Sequence, residues 1–256
     1  MTNEQLKFVE PILNTFENDD IKNFAKEVLN DLPSYIWEVG ASSTGKYHPA
    51  YTLGTLGLMK HQVAVVRFVN FFFELEQYKN RYDSRRRDLI RLAALVHDGR
   101  KSGSQEDYEK SKFTKFDHPI LMAKEILSYK DKGFLPETEL KFIAIALSKH
   151  MGQWNTDKRS SVTLPRPDDE PSELLHLADY LASRKCLNMS FDDYVIPEEK
   201  LPNINPGDYV LTFGKHKDCA LKDIPKDYLQ WLATQDKFAL KEPLKTFVGQ
   251  IIRGEA

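Results

Sequence analysis

From Leu6 to Leu181 apolar side chains return at steps of three and four residues, segment after segment. Over most of that span the period admits helices and little else. Leu6, Val9, Ile12, Leu13 and Phe16 mark a first amphipathic helix, and Ile21, Phe24, Ala25 and Leu29 a second over Asp20 to Asn30, with Pro33 beyond its end. Ser42 to Gly57, rich in Gly, Ser, Thr and Pro, reads as an ordered loop with a short helical turn. A long helix from Leu58 to Tyr78 is apolar round much of its circumference, which predicts a central, buried position. Asp88 to Val96 is the next helix, with Gly99 as its stop. Helices opened by Pro119 and running to Tyr129, over Glu137 to Lys149, and over Ser172 to Cys186 complete the body. The expected fold class is mainly α, a helical bundle carrying a small C-terminal α+β appendage.

The character of the chain changes near its end. Pro197, Pro202 and Pro206 punctuate a stretch that reads as a linker over residues 196–207. After it, Tyr209 to Phe213 alternates like a strand, GKHKD resembles a hairpin turn, and Asp227 to Ala233 and Pro243 to Ile252 read as short helices. Ile224, Tyr228, Leu229, Trp231 and Leu232 are the expected core of this module, residues 208–256, which is small for a free-standing domain. The body is then residues 1–195, with the helices of 1–33 packed on it.

Charge narrows the function. With 36 basic and 38 acidic residues the formal charge is −2, which excludes a dedicated nucleic-acid coat. The 41% hydrophobic content is enough for a packed core. The longest apolar runs, such as Phe142 to Leu147, are far too short to span a bilayer, so no membrane partner is expected. The start, MTNEQLKFVE, lacks the pattern of a secretory signal, and Cys186 and Cys219 make no metal-like pair. A reducing, cytoplasmic setting is expected.

Within the helical body stand His61, the pair His97-Asp98, His118, His150 and Asp179, each in or at the end of a predicted helix. Side chains delivered from several helices are how a bundle builds a metal site in its core. Imidazole with carboxylate suits Mn, Fe, Ni, Co or Zn better than Mg, although Mg remains possible. His97-Asp98 ends the apolar run RLAALV, where a carboxylate is costly to bury unless it is paired or binds a cation. Taken singly, a histidine at a helix end also serves as a cap for the helix dipole, and Asp179 as a hydrogen-bond acceptor. Periodicity alone does not choose between these.

The ordered set resembles the HD-domain metal-dependent phosphohydrolases, from about Tyr47 to Cys186. KYHPAYTLGTLGLMKHQVAVVRF is similar to the family's opening motif and LAALVHDGRK to its central one. FDHPILMAKEIL and IALSKHMGQW are similar to the segments that supply the two extra histidines of dinuclear members, and HLADYLASR to the closing segment. The resemblance implies an HD-domain helical bundle with two divalent transition metals. His61, His97, Asp98 and Asp179 would hold one, and Asp98 would bridge to a second completed by His118 and His150. A hydroxide between two cations is a competent nucleophile at neutral pH. Asp98 and Lys101 are thus the implied catalytic residues, with Lys101 on a phosphate oxygen. Arg100, expected mainly to face solvent, and His48 at the pocket rim are further substrate-binding candidates. The Gly-Tyr-Pro that marks cyclic-di-GMP phosphodiesterases after the HD segment is absent, as are the long insertions of the large dNTP triphosphohydrolases.

Residues Lys79 to Lys115 carry eleven Lys or Arg against six acidic residues, densest at Arg85-Arg86-Arg87. This is a solvated helical face or an electrostatic funnel beside the HD motif. Trp154, with Arg159 and Arg166, lies in a loop suited to cover a nucleobase and phosphates, and packing of Trp154 into the core is the equal alternative. The tail, YVLTFGKHKDCALKDIPKDYLQWLA, resembles a small module found beside nuclease-like domains in bacteria and phages. The expected function is metal-dependent hydrolysis of phosphoesters in nucleotides or single-stranded nucleic acid, as a phosphodiesterase, exonuclease or nucleotidase. The competing readings are a dinuclear-iron oxygenase on the same fold and a non-catalytic nucleotide-binding protein.

Overall fold

The computed structural model describes residues 1–42, 48–196, 205–235, 240 and 243–255. They form two compact units, Met1–Pro197 and Glu198–Ala256. Among the described residues the first unit holds eight α-helices: α1 (Asn3–Leu13), α2 (Asp19–Asp31), α3 (Gly57–Glu74), α4 (Ser84–Val96), α5 (Gln105–Lys110), α6 (His118–Leu127), α7 (Glu137–Lys149) and α8 (Glu170–Ala182). The loop before α3 contains the expected short helical turn, at Ala50–Thr52; Tyr47 of the KYHP segment lies outside the described residues.

Where boundaries differ from the apolar period, polar caps explain the difference. Thr2 and Gln5 form a reciprocal capping box, so α1 begins before its first apolar residue. Asp83 accepts from the backbone of Arg86 at 2.7 Å and starts α4 at Ser84, four residues earlier than expected. Helix α3 stops at Glu74 because Leu75 turns extended, and Tyr78 folds back onto Phe72 with ring centroids 6.3 Å apart. Helix α5 buries no side chain and is held by a box between Ser104 and Asp107, so hydrophobic period could not reveal it.

Helix α3 packs against α4 and α8, α4 against α2 and α7, and α6 against α7. Burial is unbroken from Asp88 to Val96 in α4, which requires neighbours on every side. Gly99 behaves differently from the helix stop expected of it. A Cβ there would lie 2.7 Å from Leu32 Cδ1 and 3.0 Å from Met122 Sδ, so the glycine admits close packing rather than a left-handed turn. Asp88 is wholly buried. Its Oδ2 accepts from the backbone of Glu17 and Asn18 and from Asn18 Nδ2 at 2.7–2.8 Å, and its Oδ1 from Arg91 at 2.6 Å. The α1–α2 connection is thereby fastened to α4.

The basic run is structural. Arg85 pairs with Glu139 of α7 at 2.5 Å and Asp20 of α2 at 2.9 Å. The guanidiniums of Arg86 and Arg87 lie 4.6 Å from the Phe142 centroid and 5.4 Å from that of Phe73. All three occupy the first turn of α4, about 16 Å of helix from His97 at the other end. That separation removes them from the funnel beside the HD motif.

The second unit contains α9 (Lys226–Ala233) and α10 (Leu244–Arg253) around Leu211, Leu221, Ile224, Leu229, Leu232, Leu244, Phe247 and Val248. The expected strand reduces, among the described residues, to one antiparallel bridge between Val210 and Ala220. Gly214 and Asp218 take positive φ (75° and 66°), which coils the connecting segment. Trp231 is not core: Leu229 and Leu232 fill the buried face of α9, and the indole, 50% exposed, lies against Tyr228 with the ring planes tilted by 37° and centroids 5.3 Å apart. Most of the expected linker, residues 197–204, lies outside the described residues. Among those described, no helix is long and apolar enough to cross a membrane.

Candidate metal centre

The fold delivers the expected residues from five helices. His61 lies in the second turn of α3. His97 and His150 are the C-terminal caps of α4 and α7, Asp98 follows the first of these, His118 opens α6, and Asp179 sits in α8. His61, His97, Asp98, His118 and His150 are each at most 3% exposed, and Asp179 is partly exposed.

Asp98 stands between two groups of ligating atoms. Its Oδ1 is 3.0 Å from His118 Nε2 and 3.8 Å from His150 Nε2. Its Oδ2 is 3.6 Å from His97 Nε2 and 4.0 Å from His61 Nε2, and it accepts a short hydrogen bond from Lys101 Nζ. Asp179 Oδ1 joins the second group, 2.9 Å from His61 Nε2 and 3.8 Å from His97 Nε2. His61, His97 and Asp179 each offer a ligand atom within 4.8 Å of the others, and so do His97, Asp98 and His150.

Hydrogen bonds behind the imidazoles determine which nitrogen faces inward. Nδ1 of His97, His118 and His150 lies 2.7–2.9 Å from the carbonyls of Ala94, Lys115 and Leu147. A carbonyl only accepts, so each Nδ1 carries the proton when the ring is neutral, and Nε2 presents a lone pair. That is the arrangement of metal-ligating histidines. Nε2 of His97 makes no hydrogen bond within the protein, although the atom is buried. Leaving such an atom unpartnered costs about 1–3 kcal/mol, which a cation would offset.

Charge agrees with this donor set. Burial pushes His97 down and His150 to about 3, so both rings are neutral near pH 7. Burial alone would raise Asp98, but the Lys101 ammonium, His97 and His118 outweigh it and hold the carboxyl well below the usual carboxylate range. Asp179 is lowered in the same way, burial being outweighed by His61 and His97. Neutral imidazoles with ionised carboxylates are the protonation states that a divalent cation requires.

Of the other residues singled out in the sequence, Lys101 is brought to the cluster. Arg100 is not: rather than facing solvent it is largely covered and pairs with Glu125 of α6 at 2.8 Å. His48 meets His61 edge-on, centroids 5.4 Å apart, with its own Nδ1 buried and unpartnered. Arg166 lies 3.4 Å from Asn155 Oδ1, and Arg159 is almost fully exposed. Trp154 meets His176, whose Nδ1 bonds the His150 carbonyl at 2.8 Å.

Two residues escaped the sequence reading. The Tyr35 hydroxyl donates to Gly103 O and accepts from Ser102 N, both at 3.0 Å, which fastens the segment after Asp98. Burial raises this phenol to about 12. From the same segment, Lys101 O accepts from Lys115 N at 2.8 Å, and Lys115 O is the acceptor that orients His118. A tyrosine in SYIW carries no periodic signal of such a task. His176 buttresses His150 from behind, and its place three residues before Asp179 was the available hint.

With this geometry in view, the comparisons with known proteins are two family matches. The model described as HD domain matches residues 58–184, and this supports the HD-domain family for the helical body. A model described as "Putative quorum-sensing-regulated virulence factor" matches residues 205–242, a description different from the nuclease-associated module that the tail resembles. No curated protein and no solved structure matches the chain.

Proposed function

Taking an HD domain over residues 58–184 as the premise, we propose that this protein is a metal-dependent phosphoester hydrolase acting on nucleotides or short single-stranded nucleic acid. The observation that carries the reading is the placement of Asp98, with one oxygen toward His118 and His150 and the other toward His61, His97 and Lys101. His61, His97, Asp98, His118, His150 and Asp179 would together hold two divalent transition metals. When bound, such cations lower the pKa of a coordinated water and neutralise charge on a phosphoryl group.

The chain's own residues supply the rest. Backbone carbonyls hold three imidazoles with Nε2 inward, so little reorganisation is needed to receive cations. Lys101, bonded to Asp98, would offer its ammonium to a phosphate oxygen of a substrate at the cluster. His48 and Trp154 stand beside His61 and behind His150 as further substrate contacts. Arg100 enters only if it leaves Glu125.

Elemental analysis of the purified protein, followed by assays with bis-p-nitrophenyl phosphate, single-stranded oligonucleotides and nucleotide pools, tests the proposal. Metal-dependent release of nitrophenol with Mn²⁺ or Zn²⁺ is expected. Release of mononucleotides only from polymers would favour an exonuclease over a nucleotidase. Bound iron with an oxygen-consuming reaction and no phosphoester turnover would overturn the proposal in favour of an oxygenase.

A further inference from the structure

Two tryptophans lie in the first unit: Trp37 is 6% exposed in the core, whereas Trp154 is 44% exposed. An indole left this open is held in place. Its ring lies 14° from parallel with Tyr180, centroids 5.6 Å apart, and meets His176 edge-on at 5.8 Å. The Arg184 guanidinium is 4.2 Å from the Tyr180 centroid, with its Nε donating to Tyr180 O at 3.2 Å and Nη2 to Ser183 Oγ at 3.1 Å. Among the described residues Arg184 pairs with no carboxylate, so its charge is uncommitted. Gly152 takes φ +57°, and a Cβ there would lie 2.2 Å from the His176 ring, so the turn leading to Trp154 is pressed against that imidazole.

This stack adjoins the metal centre at two points. His176 bonds the carbonyl of His150, and Tyr180 follows Asp179 directly in α8. Tyr180 covers one face of the indole and His176 abuts it edge-on, and the 44% of Trp154 that stays exposed is surface for a further plane. Aromatic planes with a neighbouring guanidinium are the chemistry that binds an unpaired base with its phosphate.

We infer that Trp154, Tyr180 and Arg184 form a base-stacking shelf that receives the heteroaromatic ring of a nucleotide whose phosphate lies at the His/Asp cluster. The inference rests on the hydrolase reading for the position of the phosphate. The preference for a base comes from the stack alone.

The test uses the full-length, metal-loaded protein carrying Trp231→Phe, so that emission comes from Trp154 and the buried Trp37. Titration with adenosine 5′-monophosphate should quench the fluorescence saturably, whereas ribose 5-phosphate should not. By calorimetry, Trp154→Ala should weaken the nucleotide about ten-fold, the loss expected for one base–aromatic stack. Trp154→Phe should fall between, and metal content should stay at the parent's value in both. No saturable quenching overturns the shelf, as does equal binding of the two phosphates or an equal loss of both in Trp154→Ala. The two proposals fail separately. Base-dependent binding without phosphoester turnover keeps the shelf and removes the hydrolase, and turnover indifferent to the base does the reverse.

Discussion

On the Oδ1 side of Asp98 stand two imidazoles, His118 and His150, both at helix ends and both turned by a backbone carbonyl. On the Oδ2 side stand His97, turned in the same way, and His61, which projects from within α3, has a buried Nδ1 with no partner, and meets Asp179 at 2.9 Å. The Oδ2 side therefore has a second carboxylate and also the Lys101 ammonium, while the Oδ1 side has the two imidazoles. A second carboxylate gives a cation one more anionic ligand, whereas rings oriented in advance demand less rearrangement. The difference predicts one tighter and one weaker position, with the Oδ2 side the tighter.

The largest effect should come from erasing what the two sides share. Asp98→Asn should reduce metal content to background by plasma mass spectrometry and phosphoester turnover by at least about 10³-fold. Retention of one full equivalent would show that the sides do not depend on a common carboxylate. Next come substitutions on a single side, followed by competitive chelator titration. His150→Gln should remove the weaker phase and Asp179→Asn the tighter, each by at least about 100-fold, since even outer partners cost 10–100-fold. Identical isotherms for the two variants would break the comparison.

A finer test removes one oxygen that touches no ligand. Tyr35→Phe keeps the ring against Tyr108, at 4.7 Å, but frees the segment after Asp98. Through Lys101 and Lys115 it should weaken the His118 side by about ten-fold and leave the other side unchanged. Equal weakening of both sides would mean that the hydroxyl supports the fold rather than the orientation of His118. The smallest effect belongs to Arg85→Ala, which breaks the ties to Glu139 and Asp20. Because the pairs are partly solvated, a loss of about 1 kcal/mol is expected, seen as roughly 2–4 °C in Tm. Metal binding and turnover should not change, and a steeper salt dependence of turnover in the variant would restore the funnel.

Much of the helical body could be read in advance because burial there follows the helical period: Glu137–Lys149 has the predicted bounds, and α2 differs by one residue at each end. The period fails where polar atoms decide. Asp83 extends α4, Ser104 and Asp107 build α5 without a buried side chain, and Trp231 follows the apolar pattern yet lies outside the core. At the site, the ordered histidines and aspartates indicated which residues meet. The sequence carried no sign of which oxygen of Asp98 faces which histidine, nor that Arg100 is drawn to Glu125. Those depend on rotamers and on helix ends brought together from distant parts of the chain.

Asp88 has a consequence for where this protein can be cut. Its carboxylate takes three hydrogen bonds from Glu17 and Asn18, far upstream of the recognisable domain. Leu32 fills the space that Gly99 leaves open, and Tyr35 holds the turn beyond Lys101. A protein trimmed to residues 58–184 would keep every histidine and aspartate of the cluster. It would also leave Asp88 with only Arg91 to answer it, strip Leu32 from under the His97-Asp98 turn, and release the segment that orients Lys101. The family match thus spans the His/Asp cluster, while the unit that must fold to hold it reaches back to the first helices of the chain.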